Sequence, residues 1–428
     1  MKKKILLTIF ISLIFIIIGC KKENNYTLGK SDSKVVRVTP ADKVTQEIQL
    51  LINELYGASK PVNNLNLQVF GASSLHKSGG EVLGPSMPDT LLYFVNFEDG
   101  NGFAVISALL GADPKVLCIT ETGHLTKEDL IEAYDSLSVY EPETTETDTT
   151  NHLRAYGTLY VRMTLIATAL NQLRDISSGN EDYPDDINDE VYETTTHIGP
   201  LLNTKWTQWA PFNNFRDDGA PAGCVAIATA QILEYNRYGN PDEMNFDWDL
   251  LATVYPEDNP SSNGTWEAQQ EASRLSQYVG RRKNCYIRYS TDGSTGFAAG
   301  AKRTFVNFDY SSVKKRCGYN TNRKNQIIAQ LTEGLPVYMD GSRHGGGHAW
   351  VIDGLHVRKV YTPSNELIRT DNLFHINWGW RGSYDGYFAQ GTFNITSSIE
   401  IDPSKNRLTK DSESYNYTFN YRVITYSL

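Results

Sequence analysis

Apolar residues recur at helical spacing in some parts of this chain and in short unbroken runs in others, and the two spacings predict different elements. An apolar residue at every third or fourth position predicts a helix over residues 41–56. Two apolar runs around a Gly- and Asn-containing turn predict a β-hairpin over 91–108. Residues 116–120 predict another strand, and 125–134 and 159–173 predict helices. These elements predict a first folded part of the α+β class.

An acidic segment follows this first part. Residues 180–193 contain seven Asp and Glu residues and no Lys or Arg. Such a run repels itself and stays solvated, and it is a favourable place for a protease to cut. We therefore predict one domain over 21–195, with 180–193 as its linker, and a second domain over 196–428.

The second part contains a helix, predicted from residue 224 onward, with apolar residues on every side, so it is predicted to be buried all round. Gly239 and Pro241 are predicted to end it. Cys224 lies at its N-terminus, where free N–H groups and the helix dipole lower a thiol pKa and can stabilise an oxyanion. Gly223 leaves room for a substrate backbone. The alternative interpretation is that Cys224 is a small buried apolar residue, as most free cysteines are.

Two later segments predict strands that carry a possible base. They cover 345–354 and 373–380, with a turn sequence at 361–365 between them. A hairpin centred on that turn places His348 opposite Asn377 or close to it. Side chains across such a pair lie within reach of a hydrogen bond.

An amide next to an imidazole suits cysteine chemistry. Asn377 can orient the ring while His348 becomes charged against the Cys224 thiolate, which is the Cys-His-Asn arrangement. Trp378 is predicted to shield that bond from water, and His375 is a candidate supporting group. Alone, His348 would be better explained as a core or loop histidine; in this combination, catalysis is favoured.

Composition narrows the function further. The chain has 428 residues, is 40% hydrophobic and carries a net charge of −10. Its length allows two or three domains, and its charge argues against nucleic acid partners and against an electrostatic membrane surface. The five cysteines include no CxxC pair, so no metal site is predicted. Cys285 and Cys317 either form a disulfide in an exported protein or are two buried thiols.

The N-terminus predicts export. Three lysines at 2–4 precede an apolar run over 5–18, which is shorter than the ~20 residues of a membrane span. Residues 17–20 resemble a bacterial lipobox, in which Cys20 is lipidated after removal of the signal peptide. We expect a cell-envelope lipoprotein of the outer membrane; a plain signal peptide with a chance cysteine is the alternative.

Four segments of the second part resemble, in order, the streptopain family of papain-like cysteine peptidases, and the lipobox is similar to Bacteroides-type lipoprotein zymogens of that family. The segments are 201–208, 223–232, 346–354 and 375–388. The predicted hairpin in the first part resembles the family's inhibitory propeptide. The resemblance implies a papain-like α+β fold, a helical part plus an antiparallel β part, preceded by an α+β propeptide domain.

The resemblance also implies roles for individual residues. Cys224 matches the nucleophile and His348 the general acid and base, while Asn377 and Trp378 match the residues that orient and shield the histidine. Gln208 matches the glutamine that forms the oxyanion hole with the Cys224 N–H. The candidate substrate-binding residues are Gly223, Gly347 and Ala349. No cofactor is implied.

The expected function is a self-inhibited cysteine endopeptidase. Its expected partners are extended polypeptide substrates and its own propeptide, and its expected membrane contact is the lipid on Cys20 alone. Cleavage between residues 185 and 200 would release the catalytic domain. Two alternatives remain: an acyltransferase or amidase that uses the same site, or a catalytically dead lipid-anchored binding protein.

Overall fold

The computed structural model describes most of the chain after residue 35. The described residues are 36–57, 65–75, 88–112, 115–138, 149–177, 192–239, 241, 244–343, 346–390, 392, 400–402, 407–409 and 420–428. We call 36–177 the N-terminal segment and 192–428 the C-terminal segment. The predicted signal peptide, Cys20 and residues 180–191 of the acidic region lie outside the described residues.

The N-terminal segment mixes helices with short strands, as its apolar pattern predicts. Its elements are α1 Ala41–Tyr56, β1 Gln68–Phe70, α2 Ala72–Leu75, β2 Leu92–Asn96, β3 Phe103–Ser107, β4 Val116–Thr120, α3 Lys127–Ser138 and α4 Thr149–Ser177. The predicted helix over 41–56 and the predicted hairpin of β2 and β3 are confirmed. The helix predicted over 159–173 is the middle of the longer α4.

The C-terminal segment begins with helices and ends in a sheet. Its elements are β5 Tyr192–Ile198, α5 Cys224–Asn236, α6 Trp248–Ala252, α7 Trp266–Gly280, α8 Ala298–Asn307, β6 Ser311–Cys317, α9 Thr321–Thr332, β7 Val337–Arg343, β8 Gly346–Tyr361, β9 Leu367–Asn377, β10 Gly386–Ala389, β11 Glu400–Asp402, β12 Arg407–Thr409 and β13 Asn420–Ser427. This division supports the predicted α+β class.

One antiparallel sheet runs through both segments. Its strand order is β1-β2-β3-β4-β10-β9-β8-β7-β13-β6, and β5 pairs with β8 beside this path. Strand β4 of the N-terminal segment pairs with β10 of the C-terminal segment, with Thr120 opposite Gly386. Strand β5 pairs along its whole length, so residues 192 and 193 belong to the sheet and the linker prediction was wrong for them.

Helix α5 lies inside the C-terminal segment. Every residue from Val225 to Glu234 is buried, which confirms the prediction of burial all round. The helix ends at Asn236 and is capped by Arg237, whose φ of 46° is left-handed, and not at Gly239 as predicted. A core of apolar residues from α5, α7, α8 and the neighbouring strands surrounds it.

Two further cores contain residues of both segments. In one, Val44 and Ile48 of α1 share a cluster with Leu373 and Tyr387 of the C-terminal sheet. In the other, the β2–β4 strands and α4 share a cluster with residues of β8, β9 and β10. Residues 36–428 therefore form one compact unit.

Both interpretations of Cys285 and Cys317 were wrong. Cys285 is buried and its sulfur contacts the hydroxyls of Thr229 and Thr304, whereas Cys317 is exposed, and both are free thiols. They form neither a disulfide nor a pair of buried thiols.

Membrane-spanning helices and metal-binding clusters are both absent from the described part of the chain. There, none of the helices is both long enough and apolar enough to cross a bilayer. Within the same residues, no group of three or more His, Cys, Asp or Glu side chains is arranged to hold a metal ion.

Candidate active site

Cys224 is the first residue of α5, and the loop before it is held in place by backbone bonds. Gly223 caps the helix with a φ of 93°, a conformation that residues with a Cβ rarely adopt. The N–H of Ala222 donates to the carbonyl oxygen of Gln208 at 2.8 Å. The chain at Gln208 therefore lies next to the start of the helix, so two of the predicted site residues are neighbours.

The Cys224 thiol is protonated in this state. The N–H groups of Ala349, Val225 and Cys224 itself point at the sulfur and lower its pKa, as a helix N-terminus should. Burial acts in the opposite direction and is the larger effect, and the carboxylate of Asp340 adds to it, so the pKa of Cys224 is raised to about 11. The predicted lowering of this pKa is therefore wrong for this state.

Strand β8 passes beside the sulfur at Ala349, the residue that follows the predicted base. Because the N–H of Ala349 points at the Cys224 sulfur, His348 lies one residue from that contact. On the other side of β8, Gly341 of β7 lies opposite His348 and Asp340 lies opposite Ala349. His348 and Cys224 each keep some exposed surface, while their titrating groups are desolvated.

The predicted register between His348 and Asn377 was wrong by three residues. Asn377 lies opposite Val351. The register is shifted by an irregularity between Ile352 and Gly354, and the hairpin turn lies between Thr362 and Glu366, slightly later than predicted. Neither feature has a signature that fixes register from sequence alone.

A backbone carbonyl holds the His348 ring. Its Nε2 lies 2.8 Å from the carbonyl oxygen of Trp378. A carbonyl oxygen only accepts, so Nε2 carries the proton and Nδ1 is left free to accept one. Burial lowers the pKa of His348 to about 4, and the imidazole is neutral. The Trp378 carbonyl thus does what was predicted for the Asn377 amide.

Three tryptophan rings stack on His348. The nearest is Trp380, whose ring centre is 4.8 Å from that of the imidazole, followed by Trp378 at 6.2 Å and Trp350 at 6.3 Å. Trp378 and Trp380 also stack on each other at an interplanar angle of 10°. Of these three, the sequence predicted a role for Trp378 alone. The signal for Trp380 was its position two residues after Trp378.

Asn377 is buried and fully engaged with other groups. Its Oδ1 accepts hydrogen bonds from Gln231 Nε2 and from the N–H of Gly379, each at 3.0 Å. Its Nδ2 donates to the carbonyl oxygen of Thr204 at 2.8 Å. Gln231 also accepts from the Thr204 hydroxyl. The sequence signal for Gln231 was a glutamine on a largely apolar helix, and the sequence analysis did not identify its role.

The site therefore contains a neutral thiol beside a strand that carries a neutral imidazole. Cys224, His348, Ala349 and Trp378 lie at one place, and the backbone of Gln208 borders it. This arrangement contains a potential nucleophile and a potential base on two different elements, as cysteine-type acyl chemistry requires.

Comparisons with known proteins agree on a family. Residues 206–388 match the model of the Peptidase C10 family. Streptopain of Streptococcus pyogenes serotype M28 is 27% identical over 280 residues, a match that covers 52% of this chain and 66% of streptopain. The thiol protease/hemagglutinin PrtT of Porphyromonas gingivalis is 25% identical over 229 residues, which cover 48% of this chain and 24% of PrtT.

A solved structure shows the same fold. A fragment of prointerpain A from Prevotella intermedia matches with a TM-score of 0.50 and 21% identity over 85% of this chain and 98% of that one. A match over 85% of this chain is longer than the C-terminal segment, so it extends beyond that segment. Taken together, these matches show that residues 206–388 are similar to the Peptidase C10 family, the streptopain-like cysteine peptidases.

Proposed function

We propose that this chain is the precursor of a cysteine endopeptidase in which Cys224 is the nucleophile and His348 the general acid and base. The observation that carries the proposal is the meeting of α5 and β8, where the N–H next to His348 points at the Cys224 sulfur. Its substrates are extended polypeptides. The match of residues 206–388 to the Peptidase C10 family model supports the same reaction class.

The proposed reaction has two steps. In the first, the free Nδ1 of His348 takes the thiol proton, the sulfur bonds to the peptide carbonyl carbon, and the C–N bond breaks as the proton passes to the leaving amine. In the second, His348 deprotonates water, whose oxygen bonds to the thioester carbon. The S–C bond then breaks and the proton returns to sulfur.

The oxyanion of each tetrahedral intermediate needs donors near the sulfur. We assign this role to the backbone N–H of Cys224 at the start of α5 and to the side-chain amide of Gln208. The bond between Ala222 and Gln208 supports this assignment because it fixes the two chain segments side by side. A donor of this kind contributes about 3 kcal/mol to transition-state stabilisation.

The described state is a latent one in this proposal. A reactive pair needs a thiolate and an imidazolium, whereas here burial keeps Cys224 and His348 neutral. The N-terminal segment is part of the same sheet and the same cores as the C-terminal segment. We propose that residues 21–195 act as the inhibitory propeptide of a catalytic domain over 196–428.

Active-site labelling combined with substitution tests the proposed function. The processed protein should hydrolyse casein and take up one epoxide thiol inhibitor on the peptide that contains Cys224. Cys224→Ala and His348→Ala should lose hydrolysis, while Cys317→Ala, a matched change at an exposed cysteine, should keep it. Hydrolysis that persists in Cys224→Ala would refute the proposal. Transfer of the acyl group to an added amine in preference to water would identify an acyltransferase instead.

The N-terminal sequence extends this proposal to where the precursor is located in the cell. We propose that lipid on Cys20 anchors the precursor to the cell envelope, and that cleavage between residues 185 and 200 frees the catalytic domain. The lipobox-like residues 17–20 support it. Cys20→Ala should abolish labelling by a radioactive fatty acid. A processed catalytic fragment that stays in the membrane fraction would contradict the release.

A further inference from the structure

Five ionisable side chains lie together where β4 meets β10, and the mechanism above uses none of them. Four belong to the C-terminal segment and are at most 6% exposed: Lys205, Asp353, His375 and Asp385. The fifth, Glu121, follows β4 in the N-terminal segment. Charged groups are seldom buried to this extent unless they are paired, so the pairing of each one is informative.

The Glu121 carboxylate is held at both oxygens. Its Oε1 lies 3.0 Å from His375 Nε2, and its Oε2 lies 2.7 Å from Lys205 Nζ. The backbone delivers it to this place, because Thr120 pairs with Gly386 and the Glu121 N–H donates to the Asp385 carbonyl oxygen at 2.7 Å. One carboxylate thus meets two cations, which is a charge-assisted arrangement of the strong kind.

The C-terminal segment presets the orientation of His375. Its Nδ1 donates to Asp353 Oδ1 at 2.6 Å, and Asp353 Oδ2 in turn accepts the N–H of Leu202 at 3.2 Å. Since both ring nitrogens face carboxylate oxygens, both carry protons and the ring is an imidazolium. The Asp353 and Glu121 carboxylates raise the pKa of His375 to about 10. The Nε2–H is therefore aimed at whatever fills the Glu121 position.

Lys205 has two other acidic neighbours, Asp385 and Glu257. Its Nζ lies 3.8 Å from Asp385 Oδ2, an oxygen without a hydrogen-bond partner, while Asp385 Oδ1 accepts the Trp378 N–H at 2.9 Å. Burial raises the pKa of Asp385 to about 7, so near neutral pH it is only partly ionised. Among the described residues, Glu121 is the hydrogen-bond acceptor of both Lys205 Nζ and His375 Nε2. Without Glu121, these two nitrogens would have no carboxylate oxygen within hydrogen-bond distance in the described part of the C-terminal segment.

We propose that Lys205 and His375 form a carboxylate-binding site of the C-terminal segment, and that Glu121 fills it and holds the N-terminal segment on β10. The purpose of the site rests on the proposed function: in a zymogen, it would keep the propeptide bound after the chain is cut. Its ligand class is the carboxylate side chain of a strand that pairs with the β10 edge.

Rescue by a free carboxylate tests this site. In the full chain with Cys224→Ala, which removes any peptidase chemistry, Glu121→Ala should lower the Tm. Sodium acetate should then raise that Tm by about 2–4 °C more than sodium chloride at the same concentration, because acetate enters the vacated position. Glu128→Ala, which removes an exposed carboxylate on α3, should respond equally to the two salts.

A second variant keeps the test valid if Glu121→Ala does not fold. Glu121→Gln preserves the shape but not the charge, and should increase hydrogen exchange of the β4 and β10 amides about tenfold, whereas Glu128→Gln should not. Equal acetate and chloride responses in Glu121→Ala, or unchanged exchange in Glu121→Gln, would overturn the proposal. Because Cys224 is absent throughout, either result is independent of whether the chain is a peptidase.

Discussion

The two groups proposed to carry the chemistry are neutral for the same physical reason. Removal of water disfavours the thiolate of Cys224 and the imidazolium of His348, and the N–H groups at the start of α5 recover only part of that loss for the thiolate. A helix N-terminus is therefore not sufficient to activate a cysteine. Activation requires that the surroundings of the pair change.

The alkylation rate of Cys224 in the intact chain measures the fraction of this thiol that is ionised. Because the thiolate is the nucleophile, we expect its rate with iodoacetamide to rise about tenfold per pH unit between pH 7 and 10, without a plateau below its pKa of about 11. Cys317, which is exposed, should react faster at pH 7 and serves as an internal reference. Mass spectrometry of peptides from full-length protein gives both rates. A plateau for Cys224 below pH 7 would show a preformed thiolate.

Asn377 is predicted to support the structure of this state through its three bonds to Gln231, Gly379 and Thr204. Asn377→Ala leaves those buried groups unpaired and should lower the free energy of unfolding by about 2–4 kcal/mol. Asn372→Ala, on the same strand but partly exposed, should cost less than about 1 kcal/mol. Denaturant unfolding of both variants in the Cys224→Ala chain checks this. Equal losses would mean that the bonds of Asn377 contribute little.

Elements that are determined by local interactions were predictable from the sequence, whereas features that depend on contacts between distant residues were not. Helices α1 and α5 and the hairpin of β2 and β3 were predictable because local spacing of apolar residues and turn chemistry determine them. The register of β8 on β9 was not, because an irregularity near Ile352 shifts it. The contact between Gln231 and Asn377 joins residues 146 positions apart, and no local pattern encodes it.

The joint between β4 and β10 depends on a glycine. Gly386 has a φ of 154°, and a Cβ there would lie 2.3 Å from the Ile119 carbonyl oxygen. Gly386→Ala should therefore separate the strands and cost more than about 2 kcal/mol. Gly318→Ala is the control, because Gly318 has a φ of 75° but open space around it, and it should cost about 1 kcal/mol.

Hydrogen exchange and denaturant unfolding separate these two glycine variants. Faster exchange of the β4 and β10 amides is expected in Gly386→Ala alone. If both variants lose the same stability and neither changes exchange at this joint, the close approach of the two strands is not what holds them together.

For the whole molecule, both apolar cores and paired carboxylates join the N-terminal segment to the C-terminal segment. Besides Glu121, Glu47 of α1 lies 3.3 Å from Arg358 and 3.2 Å from Arg369 of the C-terminal sheet. Shared apolar cores provide most of the burial, while these charges determine how the segments align. The acidic region of the sequence predicted a boundary between two domains. It did not predict that one sheet continues across this boundary, because the paired strands are distant in the chain.

The proposed conversion of precursor to peptidase is best tested by the protein's own cleavage. Protein lacking residues 1–20, as wild type and as Cys224→Ala, is incubated with reductant and followed by intact mass. We expect wild type to shorten to a fragment that begins between residues 185 and 200 and to hydrolyse casein, while Cys224→Ala stays full length. If wild type remains inert even after trypsin has removed the N-terminal segment, the chain is not a latent cysteine peptidase.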